Sequence, residues 1–155
     1  MSGYAGVIPG KYVPEYRAGW FSESVKVGRL VAYQAVAQDA TGDGSDGDGF
    51  GYAVKYPTAT TSLVAGIAYS QDGDKTTFAT GEVGLILRRG YYRDLMFYAT
   101  ATAGWPIVPH TSLGIGASLA TAIVADWVPG VCGVYCETDG GTATTTSDVF
   151  VNAWF

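Results

Sequence analysis

Apolar and polar positions alternate in short runs along most of this chain, and helical spacing is scarce. Over residues 24–38, Val25, Val27, Leu30, Val31 and Tyr33 are apolar while Lys26, Arg29 and Gln34 can face water, which predicts a strand bent near Gly28. Further strands are expected over 51–56, 62–70, 76–79, 82–88 and 94–102, divided by turn residues at the intervals of a sandwich or small barrel. The stretch 113–125 has the Ala and Leu content of a short helix, but Gly114, Gly116, Thr121 and Val124 favour another strand. Two last strands are expected over 131–137 and 149–155. In the second, Val149, Val151 and Ala153 alternate with Phe150, Asn152 and Trp154, a pattern that lets both faces be covered.

Two parts of the chain echo each other. Val64-Ala65-Gly66-Ile67-Ala68-Tyr69 followed by Asp72-Gly73 matches Val131-Cys132-Gly133-Val134-Tyr135-Cys136 followed by Asp139-Gly140, each leading to a second strand. Two similar hairpins are expected, with Asp-Gly supplying the positive φ of each turn. Residues 41–49 (TGDGSDGDG) combine glycine freedom with like-charge repulsion, so a mobile Gly/Asp loop is expected over 39–50. Residues 1–20 mix Gly and Pro with Tyr4, Tyr12, Tyr16 and Trp20, which reads either as an extended N-terminal arm or as strands covering the domain's own core. The arm is taken as the first segment, and 21–155 as one β domain.

Composition supports this reading. The 22 glycines and 11 tyrosines suit strands and tight turns, and 155 residues suit one core. Charged residues are only 15% against 48% apolar, which leaves little charge to keep the exterior soluble and points to a shared interface. A net charge of −5 with no Lys/Arg run argues against nucleic-acid binding. The start has neither the basic residues nor the apolar core of a signal peptide, and no apolar run is long enough to span a bilayer, so cytoplasmic synthesis and no membrane partner are expected. Cys132 and Cys136 lie too far apart on one strand for a disulfide, so both are expected to be reduced and buried.

Candidate chemistry is thin. His110 is the single histidine, and no Gly-x-Ser-x-Gly elbow offers it a nucleophile. Two cysteines and one histidine without a C-x-x-C pair do not make a zinc site. Asp43, Asp46 and Asp48 could offer oxygens to calcium, but the order of an EF-hand loop fails at Gly47 and Phe50. Asp72, Asp74, Glu82, Asp94 and Asp126 could in principle supply paired carboxylates for glycoside hydrolysis, though Asp72-Gly73 is explained by turn geometry. No catalytic residue, metal or cofactor is therefore expected. A second reading is a carbohydrate-binding surface module that stacks sugars on Trp105, Tyr91 and Tyr92.

From residue 62 onward the order of motifs resembles the head decoration, or structural cement, proteins of tailed bacteriophages. It runs Gly66-Ile67-Ala68, Thr80-Gly81-Glu82-Val83-Gly84-Leu85-Ile86, an Arg89-Gly90 turn, Gly104-Trp105-Pro106-Ile107, then Pro129-Gly130-Val131-Cys132-Gly133-Val134. Tyr135 in place of alanine, the Gly/Asp loop and the aromatic arm depart from that pattern. The resemblance implies a small all-β sandwich or barrel-like domain of β-tulip type that binds the major capsid protein on the outside of an assembled head, often as a homotrimer. For that role the contact residues expected are Tyr4, Tyr12, Tyr16, Arg17, Trp20 and Phe21, because binding hot spots favour Tyr, Trp and Arg.

Overall fold

A computed structural model describes residues 13–34, 52–110, 113–118, 130–140 and 145–153. The expected Gly/Asp loop and the first 12 residues, with Tyr4 and Tyr12, lie outside that set. The described residues form strands and turns with no helix. In order these are β1 (Glu15–Phe21), β2 (Val25–Lys26), β3 (Leu30–Tyr33), β4 (Tyr52–Lys55), β5 (Val64–Tyr69), β6 (Thr77–Phe78) and β7 (Val83–Tyr98). Then come β8 (Thr100–Ala101), β9 (Pro106–Pro109), β10 (Gly116–Ser118), β11 (Gly133–Tyr135), β12 (Asp139–Gly140) and β13 (Thr146–Asn152). The all-β, barrel-like class is as expected.

The pairings close into two five-stranded rings that share β7. The first runs β1-β4-β3-β5-β7 and closes because β1 also pairs β7; the second runs β7-β10-β9-β11-β13 and closes on β7 again. Closure removes most of the edges that an open sheet would expose. One core, with Phe21, Val31, Val54, Ala65, Ala68 and Ile86, belongs to the first ring, where the small β2–β6 sheet adds Val25 and Phe78. The other core joins Leu95, Phe97, Ile107, Tyr135, Val149 and Val151 of the second ring to Leu30, Val64, Ile67 and Leu87.

Strands β3, β5 and β7 are thus the wall between two cores. Val31 faces one core and Leu30 the other; Ile86 and Leu87 divide in the same way. This is why residues 64–68 are apolar throughout instead of alternating, as strands covered on both sides are. Gly66, at φ 144, sits at the register shift between β3 and β5, where any side chain would collide with the carbonyl of Leu87.

Three expectations are corrected. Arg89-Gly90 is not a turn: β7 runs unbroken through it for 16 residues, with Gly90 at φ 142 and a bulge at Asp94 (φ 64) opposite the register shift in β13. Asp139-Gly140 is likewise no turn but β12, paired with β8, whereas Asp72-Gly73 does form one, with Lys75 N–H donating to the Asp72 carbonyl but without the positive φ expected at Gly73. The echoed segments do place antiparallel partners alike, β5 on β7 and β11 on β13. The third correction concerns the arm: residues 15–20 are not free of the domain but form a wall of the first ring.

Candidate functional site

β1 fixes which of the expected contact residues share a surface. Residues directly opposite across a sheet lie on the same face, and successive residues lie on opposite faces. Tyr16 pairs with Leu87, Ala18 with Leu85 and Trp20 with Val83, while β5 brings Ile67 opposite Leu87 and Tyr69 opposite Leu85. Leu87 and Ile67 are buried under the second ring. Further from that ring the same apolar face reaches solvent: Tyr16 is 40% and Val83 43% exposed, Ala18 is exposed, and Trp20, Leu85 and Tyr69 are half-buried. An apolar sheet face therefore continues outward past the point where the second ring stops covering it.

Two tyrosines are ordered on this face. The Tyr16 and Tyr69 rings lie 4.9 Å apart, tilted by 38°. Burial, then the hydrogen bond to Tyr69, raise the Tyr16 phenol above its ordinary value, so the face stays uncharged through the physiological range. Charges are absent from the six residues that define it, and such contiguous apolar surface is the physical signature of an interaction site.

Arg17 and Phe21 point the other way. Arg17 lies opposite Ile86 on the inward side of the first ring and donates from Nη1 to the Tyr33 hydroxyl at 2.7 Å. Phe21 is fully buried and stacks on Phe78, ring centroids 4.4 Å apart. As a partner contact Phe21 is corrected: it is core, and no partner can reach it without unfolding the ring. Tyr16 and Trp20 are brought together; Ala18, Tyr69, Val83 and Leu85 complete the face and were not singled out from the sequence. Only the alternation within β1, once it is read as a strand, could have found them.

A second surface lies at the waist where the rings meet. A groove of about 660 Å³ is lined by Val13, Pro14, Glu15, Arg89, Gly90, Tyr91 and Phe150. Glu15 lies between two guanidinium groups, 3.8 Å from Arg88 and 3.7 Å from Arg89. Beside it the Tyr91 hydroxyl donates to Asp148, whose carboxylate raises the phenol's pKa.

The residues considered for chemistry take structural positions. Glu82 accepts from Ala79 N–H at 2.8 Å and pairs with Lys75 at 2.6 Å, which holds its carboxyl below the usual range. Asp72 accepts from Asp74 N–H within its turn, and Asp94 accepts from the Thr146 hydroxyl. His110 stacks on Tyr98, centroids 4.3 Å apart. Asp43, Asp46, Asp48 and Asp126 lie outside the described residues. Tyr91 is exposed, but Tyr92 turns to the opposite side of β7 and packs on the second core, so the two do not make one stacking platform. Cys132 is buried, as expected, and burial pushes its thiol up to about 12; Cys136 is exposed, correcting the expectation for that residue.

The fold is that of an all-β domain built from two rings on one long strand. No family model and no curated protein matches the chain. Among solved structures it is similar to the head fiber gp8.5 N base of bacteriophage phi29, at a TM-score of 0.49 and 10% identity, over 91% of this chain and 96% of that one.

Proposed function

We propose that this chain is a capsid decoration, or cement, protein: it binds the outer surface of an assembled phage head and stabilises the lattice of the major capsid protein without catalysing a reaction. The observation that carries the reading is the apolar face of β1, β5 and β7, centred on Tyr16, Trp20 and Val83, which is partly exposed among the described residues. The order of motifs from residue 62 onward, resembling cement proteins, supplies the kind of partner. Lattice stabilisation then needs contact area and no reactive group. A ligand that prefers the closed lattice stabilises it by RT ln(1 + [L]/Kd) per site, and a homotrimer would multiply the gain through multivalent attachment.

The test is reconstitution on heads that lack the protein. Wild-type chain should co-sediment with them and raise their tolerance of heating and low salt. Trp20→Lys and Tyr16→Lys should remain folded and lose at least about 2 kcal/mol of binding, roughly thirtyfold, as centrally placed aromatic contacts do. Heads equally resistant with and without the protein would refute the function. Deleting residues 1–20 is not a clean test, because it removes most of β1 and opens the first ring; deleting 1–12 leaves every described strand in place.

A further inference from the structure

β1 and β5 lie along opposite edges of β7. Leu87 has Tyr16 on one side and Ile67 on the other, and Leu85 has Ala18 and Tyr69. Tyr16 and Tyr69 are therefore diagonal neighbours on one face, and their rings reach each other across β7, with centroids 4.9 Å apart and planes tilted by 38°. Both cysteines are free, so no disulfide closes the fold covalently.

Two phenols in this relation are arranged for oxidative coupling. A phenol that loses one electron and its hydroxyl proton becomes a phenoxyl radical, with its spin on the oxygen and on the ring carbons ortho and para to it. In tyrosine the para carbon carries Cβ, which leaves the ortho carbons to bond. The Tyr16 and Tyr69 hydroxyls are hydrogen-bonded, and each ortho carbon adjoins the carbon that bears the hydroxyl, so the ortho positions are brought together. In the coupled product the ring centres are separated by one C–C bond and two ring radii, a little less than the 4.9 Å between these rings. Side-chain rotation covers the difference. Holding the two groups at this range favours coupling within one chain over coupling between chains. Tyr16 is 40% exposed, and the half-buried Tyr69 can pass an electron to the Tyr16 radical, so both rings are oxidised through one point of access.

We propose that Tyr16 and Tyr69 are a site of oxidative modification, where a one-electron oxidant driven by hydrogen peroxide joins the two rings through their ortho carbons into a dityrosine cross-link. One C–C bond forms and one ortho C–H bond of each ring breaks. Both phenol hydroxyls are restored, and the two electrons and two protons released reduce hydrogen peroxide to two molecules of water. The new bond ties β1 to β5 across β7, so that β1 can no longer peel away from the first ring, and it constrains the unfolded chain as a disulfide does. This inference does not depend on the capsid reading.

The test treats the dilute full chain with a haem peroxidase and hydrogen peroxide. Dityrosine fluorescence is expected in a monomeric product lighter by two hydrogens, and mass spectrometry of its digest should find the peptides that carry Tyr16 and Tyr69 linked. Tyr16→Phe and Tyr69→Phe keep a ring at each position and should each lower the dityrosine yield of the monomer at least about tenfold. Tyr91→Phe, which removes a phenol 54% exposed on another part of the surface, should leave that yield unchanged. The cross-linked monomer should melt about 5–15 °C above the untreated chain. Dityrosine found only in dimers, a linked pair other than Tyr16 and Tyr69 as the main product, or an undiminished yield from Tyr69→Phe would overturn the proposal. So would a cross-linked monomer that melts with the untreated chain.

Discussion

Trp20 and Phe21 are neighbours in sequence, yet truncating each should have opposite consequences. Phe21 has no exposed surface and stacks face to face on Phe78 inside the first ring. Phe21→Ala leaves a cavity bounded by Val25, Val54 and Ile86, and buried Phe to Ala changes cost about 3–5 kcal/mol. For a domain of this size each kcal/mol lowers Tm by about 2–4 °C, so a fall of roughly 6–20 °C is expected. Trp20, half-buried on the outward face, should cost about 1 kcal/mol and a few degrees when changed to Ala. The loss there should appear in binding to heads. Circular dichroism melting and co-sedimentation of both variants with wild type measure the two quantities separately. Phe21→Ala melting within about 2 °C of wild type, or Trp20→Ala falling as far as Phe21→Ala, would falsify the assignment of faces along β1.

Further expectations follow from single positions. Gly66→Ala, which puts a methyl into the Leu87 carbonyl at a positive φ, should leave little soluble protein or lower Tm by more than about 10 °C; a soluble variant with wild-type Tm would show that the register shift between β3 and β5 is misplaced. An aromatic disulfide reagent at pH 8 should titrate Cys136 in the native chain and Cys132 only after unfolding; rapid reaction of two thiols would contradict the burial of Cys132. Because burial raises the Cys132 thiol from 9.0 to about 12, the folded chain keeps a proton that the unfolded chain releases above pH 9. Its contribution is complete below pH 9 and is lost as pH rises toward 12, by about 1.4 kcal/mol per unit. Urea midpoints at pH 8 and pH 10 should differ accordingly, and Cys132→Ala should reduce the difference; equal midpoints for the wild type would count against it.

Much of the fold was legible because strand alternation and turn chemistry are local. Val149, Val151 and Ala153 are buried as their period of two implies, and Gly28, at φ 85, lies in the turn between β2 and β3 where a bend is expected. What stayed hidden depends on distant partners. Arg89-Gly90 has the composition of a turn, but strands on both sides of Arg89 hold β7 straight enough to continue. Asp139-Gly140 reads the same way, yet pairing with β8 makes it a strand. Closure of the first ring requires β1 to lie parallel to β4 and antiparallel to β7, contacts that no local window contains.

The candidate surface was half legible for the same reason. An aromatic cluster near the start of the chain signals contact area, and Tyr16 and Trp20 do lie on the outward face. Residue type alone could not separate them from Arg17 and Phe21, because the separation comes from strand alternation and from which side the first core occupies. Val83, Leu85 and Tyr69 join the face only through the β1–β7–β5 register.

The proposed attachment to an assembled head is tested most directly by electron cryomicroscopy of phage heads assembled with this chain. The account predicts the two-ring domain outside the shell, with Tyr16, Trp20 and Val83 packed on the capsid protein. Heads whose surface lacks the domain, or that hold it with those three side chains turned to solvent, would contradict the account.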